Sequence, residues 1–194
     1  MSKGRLEAFS DGVFAIIITI MVLELAVPHA EGVAAPEQLL PLVPVFLSYV
    51  LSFVYLGIYW NNHHHLLHSC KRVSGGALWA NLFQLFWLSL IPFTSAWMGE
   101  NSFAAWPVAL YGVVLWMCGV AYYILERTLI AANGKDSLLA AAVGIDVKGL
   151  LSMLMYTIAV PLAFVNRWVA CALYVLVALM WFIPDPRIER ALGK

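Results

Sequence analysis

The run FSDGVFAIIITIMVLEL, residues 9–25, sets Ser10 and Asp11 at the start of an apolar stretch that later admits only Thr19 and Glu24. A second polar cluster, WNNHHHLLH over 60–68, gathers His63, His64, His65 and His68 beside Trp60 and two asparagines. Carboxylates and hydroxyls in an apolar segment attract cations and replace part of their hydration, and imidazoles exchange protons near neutral pH. His64 and His68, spaced i and i+4, also have the spacing of helical metal ligands. No carboxylate or cysteine lies near enough in sequence to complete a tetrahedral site, so no metal is expected and hydrogen bonding or proton sensing remain for the cluster. No Ser/His/Asp or Cys/His constellation and no phosphate loop occurs, which argues against an enzyme.

The elements that must carry these residues are membrane helices. Hydrophobic residues make up 63% and charged residues 11% of the chain, against about 25% charged in soluble domains. Roughly 20 apolar residues cross a bilayer, and six runs approach that length, at about 9–27, 39–60, 77–98, 103–125, 150–165 and 168–183. The expected fold is all-α, a polytopic membrane protein with six transmembrane helices in one unit over 1–194. The first run is longer than the 7–15 apolar residues of a secretory signal, and five more follow it, so it is read as a mature helix. The last two runs, joined only by Asn166 and Arg167, predict a tight hairpin, with a single re-entrant element as the alternative. The connection 126–149 contains SLLAAAVGI, which could extend the fifth helix.

Basic residues accumulate in short cytoplasmic loops. With six helices, Lys3, Arg5, Lys71, Arg72, Arg127, Lys135, Lys148, Arg187, Arg190 and Lys194 fall on one side and Arg167 on the other, where the loops carry Glu31, Glu37 and Glu100. This predicts a multi-pass protein of the cell membrane with both termini cytoplasmic. A formal net charge of zero suggests no nucleic-acid partner. Cys70, Cys118 and Cys171 are odd in number and lack C-x-x-C spacing, so neither disulfide nor zinc is indicated. Trp79, Trp97, Trp106 and Trp168 fall near helix ends, as interface belts require, and Pro92 and Pro161 should kink their helices.

At about 100° per residue from Asp11, Thr19 falls at about 80°, Leu23 at about 120°, Ile16 at about 140° and Ile20 at about 180°. These four share a face that Gly12 and Phe9 extend, while Ser10 and Asp11 lie on either flank. Taken by itself, such a stripe faces lipid, packs on neighbours or lines a path. Ser10 and Asp11 either cap the helix or bond to another helix. Glu24, near the negative end of the helix dipole, falls at the edge of the Ile20 face. It either reaches an outer aqueous vestibule and attracts cations or turns to the membrane interface.

RLEAFSDGVFAI, with Arg5, Phe9, Ser10 and Asp11, resembles the R-x-x-x-F-S-D signature of the transmembrane protein 175 family, potassium channels of prokaryotes and of animal lysosomes. YWNNHHHLLHS is similar to the family's W-x-x-H-H on the second helix, and NLFQLFWLSLIPF to its N…P-F on the third. The resemblance covers roughly residues 5–95; His65 lengthens the usual histidine pair, and the last three helices agree only in number and hydropathy. It implies a channel lined by the first helix of each subunit around a central pore. Because the chain has one six-helix unit where animal members have two, it implies a homotetramer. Carried over by position from the signature aspartate, the constriction falls on Ile16, Ile20 and Leu23, with Thr19 beside them. The permeant ion would be K+, with no bound cofactor, the lipid bilayer around it and other monovalent cations in competition.

An apolar collar shuts a pore by dewetting. No T-V-G-Y-G filter is present, so a modest K+ preference over Na+ would rest on Ile16 and Thr19. Ser10 and Asp11 are then expected to fasten the first helix to Trp60, His63, His64 and Asn81, with Arg5 paired to a carboxylate at the cytoplasmic rim. The competing reading is a cation- or proton-coupled secondary transporter using Asp11, Glu24 and the histidines; inverted repeats and paired broken helices, which such folds use, are not evident.

Overall fold

A computed structural model describes residues 2–27, 36–134, 137, 139–140 and 146–182. The described residues form helices joined by turns. Helix α1, Lys3–Ile20, runs on through a 3-10 turn, Met21–Glu24, giving a 22-residue span. It starts six residues before the apolar run expected from residue 9, since Lys3, Arg5, Leu6, Glu7 and Ala8 are all strong helix formers. It stops before residue 27 because the last turn tightens to i→i+3 bonds, closed by Leu25 N–H donating to Val22 O at 3.0 Å.

Helix α2, Val43–His68, follows the 3-10 segment Pro36–Leu42. It continues eight residues beyond the expected end at 60. Polar residues end an apolar run but not a helix, and buried His63, Leu66 and Leu67 keep its inner face going.

The span expected as one helix over 77–98 is two, α3 Gly75–Ser89 and α4 Ile91–Glu100, broken at Leu90. Pro92 is the cause: without an N–H it cannot make the helical i→i−4 bond to Leu88 O, and its ring crowds that carbonyl. Ser74 opens α3 as its cap, accepting from Ala77 N–H at 3.2 Å.

Helix α5, Ala105–Asn133, packs on α3 and α4 and on the last two helices. It outruns the expected end at 125, since Leu125 and Leu129 extend its fully buried stripe of Leu115, Cys118 and Ala121. Helices α6, Val147–Leu162, and α7, Arg167–Phe182, have 16 residues each, about 24 Å at 1.5 Å per residue. The pair forms the hairpin that the Asn166–Arg167 junction predicts. Asn166 Oδ1 accepts from Trp168 N–H at 3.1 Å and Val169 N–H at 3.3 Å and so caps α7. Pro161 sits one residue from the end of α6 and produces no mid-helix break. Of the SLLAAAVGI stretch, Leu139 and Ala140 are helical and Leu139 is buried; residues 138 and 141–145, like residue 183, lie outside the described residues.

Hydrogen bonds gather one end of the bundle. Lys3 Nζ donates to His68 O at 3.0 Å, and Asn133 Oδ1 accepts from both Lys71 and Arg72 N–H at 2.9 Å. The start of α1 and the ends of α2 and α5 therefore meet. Lys3, Arg5, Lys71, Arg72, Arg127 and Lys148 collect there, with Glu24, Glu37, Glu100 and Arg167 at the far end. Glu31, Lys135, Arg187, Arg190 and Lys194 lie outside the described residues. Cys70 sits in the turn after α2, where burial pushes its thiol up from the usual range.

The interior is apolar but holds closed hydroxyl chains. Tyr156 Oη donates to Tyr55 Oη at 3.2 Å, Tyr55 Oη to Tyr174 O at 2.6 Å and Tyr174 Oη to Val108 O at 3.1 Å. A second chain runs from Ser52 to Ser95 at 2.8 Å and on to Ser48 O at 3.0 Å, with Tyr111 Oη 3.0 Å from Ser52 Oγ. Closing such groups on one another is what hydrocarbon surroundings demand.

Gly99 lets α4 approach α2 closely, since a Cβ there would lie 2.6 Å from Val45 Cα. Backbone cannot yield as a side chain can. Gly99→Ala should therefore lose about 1–3 kcal/mol, read as a lower midpoint of thermal unfolding in detergent; an unchanged midpoint would refute this packing.

Candidate functional site

Helix α1 has two unlike faces. Leu6, Ser10, Phe14, Ile17 and Met21 recur at helical spacing and are buried; Arg5, Ala8, Phe9, Gly12, Ala15, Ile16, Thr19, Ile20 and Leu23 are exposed. The contrast between neighbours is large: Ile17 is 3% exposed, whereas Ile16 is 61%, Ile20 44% and Leu23 77%. All four residues of the expected stripe lie on the face turned away from the rest of the chain. The 3-10 turn sharpens the alignment, because three residues per turn bring Leu23 directly over Ile20.

Polar bonds hold the other face. Asn81 Nδ2 donates to Ser10 Oγ at 3.0 Å, and His63 Nε2 lies 2.7 Å from Asn81 Oδ1. With its amide N–H given to Ser10, Asn81 accepts through Oδ1, so His63 carries its proton on Nε2. Ser10 and Asn81 are fully buried and His63 is 1% exposed. The Phe14 ring packs on His63 with centroids 5.5 Å apart. On the half-buried flank, Trp60 Nε1 donates to Asp11 Oδ1 at 3.0 Å. The partners lie on two other helices, Trp60 and His63 on α2 and Asn81 on α3, so the bonds join three elements.

Two expected members stand apart. His64 is exposed and joins by ring stacking alone, on Trp60 at 6.3 Å and on His68 at 6.0 Å; it follows His63 by about 100° and so points off the α1 side. Among the described residues no third His, Cys, Asp or Glu joins this pair as a metal-binding group. Arg5 is exposed and forms no ion pair among the described residues, since its side chain leaves α1 on the free face rather than toward the bundle.

Glu24 also departs from the expected position. The 3-10 turn advances about 120° per residue rather than 100°, which carries Glu24 past the Ile20 edge into a groove with Met21, Tyr49, Ser48 and Pro92. It remains exposed.

Thr19 is exposed on the stripe, and its hydroxyl proton is already committed. Oγ1 lies 2.8 Å from Ala15 O and 3.1 Å from Ile16 O. Donating backward leaves the oxygen lone pairs as its outward face, which can accept but not donate.

One buried acid was not anticipated. Glu126 lies on α5, its side chain 4% exposed and Oε1 3.5 Å from Arg127 Nε. Counting 126–149 as a connection hid it; the persistence of Ala121, Leu125 and Leu129 at helical spacing was the available clue.

The fold and this site define a class: a multi-pass helical membrane protein whose first helix is fastened on one face and bare on the other. Residues 5–92 match the family model described as the endosomal/lysosomal potassium channel TMEM175. A protein of Chryseobacterium sp. (strain P1-3), named a potassium channel, is 52% identical over 194 residues, all of both chains. The crystal structure of a lysosomal potassium-selective channel TMEM175 homolog from Chamaesiphon minutus superposes with a TM-score of 0.80 and 27% identity, covering 93% of this chain and 96% of that one. A cattle protein, named an endosomal/lysosomal proton channel TMEM175, is 28% identical over 148 residues, 70% of this chain and 31% of its own length. The chain belongs to the TMEM175 family, a family of ion channels rather than enzymes.

Asn81 is the centre of the buried triad and Asp11 sits at its half-exposed margin, so the two should differ. Asn81→Ala leaves Ser10 and His63 unpaired in the interior and should lower stability by about 1–3 kcal/mol, the larger loss of the two. Asp11→Ala should cost yield of assembled protein before it alters ion preference. Thermal unfolding and size-exclusion profiles in detergent check both; Asp11→Ala as the more damaging change, or normal assemblies with altered selectivity, would contradict the assignment.

Proposed function

We propose that the chain is a potassium-permeable cation channel of the cell membrane whose pore is lined by the α1 stripe of several copies, four in the arrangement the one-unit architecture favours. The observation that carries this reading is the bare stripe itself. Between Gly12 and Leu23 it holds small and branched aliphatic side chains and one hydroxyl, without an aromatic residue. Other exposed apolar faces carry Phe46, Phe53, Trp79, Phe83 and Phe86. The names of the bacterial relatives support potassium as the permeant ion.

In this reading Ile16, Ile20 and Leu23 form stacked apolar collars. A cation passing them exchanges hydration for nothing, so in a narrow arrangement water withdraws and conduction stops. Modest widening restores hydrated passage. Thr19, offering only lone pairs, supplies an acceptor ring that replaces part of the ion's shell and underlies a modest preference for K+ over Na+. Ser10, Asp11, Trp60, His63 and Asn81 hold the register, Arg5 and Phe9 stand at the inner mouth, and Glu24 lies beside rather than in the outer opening. The cation-rich end, with the N-terminus, faces the cytoplasm by the distribution of positive charge.

Reversal potentials under a K+/Na+ gradient test the reading in reconstituted bilayers. Currents should reverse toward the K+ equilibrium potential; reversal that follows an imposed proton gradient, or flux that requires a counter-substrate, would overturn it. Thr19→Ala should reduce relative K+ permeability, and unchanged permeability would remove Thr19 from that role. Ile20→Asn should raise current at rest several-fold by wetting the constriction, with a closed variant contradicting the collar.

A further inference from the structure

A cavity of about 640 Å3 lies inside the subunit, walled by α2, α5, α6 and the end of α7, on the side of α2 away from the α1 stripe. Its volume falls inside the range of small-molecule sites, roughly 300–1,000 Å3, and its lining is of the same kind, apolar and aromatic with few polar groups. Helix α6 packs chiefly on α5 and α7, which leaves room between it and α2. Tyr55 and Tyr156 form the floor, with their hydroxyls used in the closed chain already described. Gly119 leaves one wall without a side chain: a Cβ there would point at Met153 Sδ, 2.9 Å away, with Tyr59 Oη at 3.9 Å.

One polar group inside is unused. The Tyr59 hydroxyl forms no hydrogen bond among the described residues, although neighbouring Tyr122 donates to Asn62 O at 3.4 Å. The charges at the mouth are already engaged. Arg127 lies against Glu126 at 3.5 Å and over the Tyr123 ring at 4.8 Å. Asp146 accepts from Gly149 N–H at 2.8 Å, and the Lys148 ammonium lies 5.8 Å from the Trp181 centroid. The charged lining residues, Arg127 and Asp146, are one of each sign and leave the rim close to neutral, so it selects neither sign.

We propose that this cavity binds an uncharged lipophilic molecule, its apolar body between Gly119, Met153 and the tyrosines and one acceptor oxygen taking the Tyr59 hydroxyl proton. A charged head would have to break an existing pairing or lose its water without compensation. Entry from the bilayer needs no such exchange. A consequence rests on the channel reading: Tyr59 and Asn62 face the cavity, while their neighbours Trp60 and His63 hold α1. An occupant that shifts α2 shifts the fasteners of the pore helix, making the site a modulatory one.

The test is photolabelling of the full chain in lipid nanodiscs with an uncharged octanol bearing a diazirine. Label should fall on peptides holding Tyr59, Tyr122 or Tyr123, and Met153 or Tyr156. It should drop at least fivefold in Gly119→Leu, which fills the cavity, and about three- to tenfold in Tyr59→Phe, which removes one hydrogen bond. Probes of equal length with carboxylate or trimethylammonium heads should label the same peptides more weakly. Label confined to lipid-facing Phe46, Phe53 or Leu179, or undiminished in both Gly119→Leu and a second filling variant, Val120→Trp, would overturn the site; stronger labelling by either charged probe would overturn the ligand class. Octanol should change K+ current in the wild type and not in Gly119→Leu; an equal effect in both would overturn the coupling. Absence of any K+ current from untreated protein counts against the channel reading and leaves the labelling to decide the cavity.

Discussion

Everything at the site depends on how α1 is turned about its own axis. Within a bilayer an aliphatic side chain gains little by leaving lipid for another helix, so burial of Ile and Leu gives no strong rotational preference. Eleven of the thirteen residues from 13 to 25 are apolar, all but Thr19 and Glu24, and such a helix could rotate at small cost. Ser10, Asn81 and His63 remove that freedom. Turning α1 by one residue, about 100°, would strand the Ser10 hydroxyl and the Asn81 amide N–H that donates to it in a medium without water, at about 1–3 kcal/mol for each group. Polar residues that conduct nothing thereby decide which aliphatic residues face outward.

The rest of the subunit serves as a fixed frame. Buried residues recur along most of helix α5, and the tyrosine and serine chains tie α2, α4, α5, α6 and α7 together through hydroxyl hydrogen bonds. Helix α1 touches mainly α2 and α3. A peripheral helix held along one face can shift with little disturbance to a core packed at interior density, which resists deformation. Division of this kind, a stiff frame and one attached element, is what a hinge-like or rotational opening requires.

Most of this was legible in the sequence because its causes are local or periodic. Hydropathy marks the spans, since no other structure satisfies the backbone in hydrocarbon, and the 100° repeat puts Ile16, Thr19, Ile20 and Leu23 together without coordinates. The partners of Ser10 and Asp11 could be named because few polar residues exist at that depth. What escaped depends on distance in sequence or on small geometric changes. The 3-10 turn that moved Glu24 and aligned Leu23 leaves no mark in MVLE, because propensity scales do not separate it from an α-helical end. His64 and His63 are equivalent as letters; only the rotation of α2 distinguishes the bonded one. Apolar runs end before their helices do where polar residues continue the turn, at 60–68 and 126–133, and Glu126 lies in the second of these.

The unequal fastening of α1 also says where along it motion is cheapest. Directional bonds act at Lys3, Ser10 and Asp11, all in the first half of the 22-residue span. Beyond Asp11 the buried contacts are Phe14, Ile17 and Met21, which are apolar and tolerate sliding. The last turn is 3-10, with hydrogen-bond geometry poorer than that of the helix it continues. A displacement that pivots near Asp11 therefore costs least at the Leu23 end, where lever arm and compliance both grow. Ile16 lies between pivot and tip, and Ile20 and Leu23 lie on the part that moves, so these two are the stripe residues displaced most for a given force on α1.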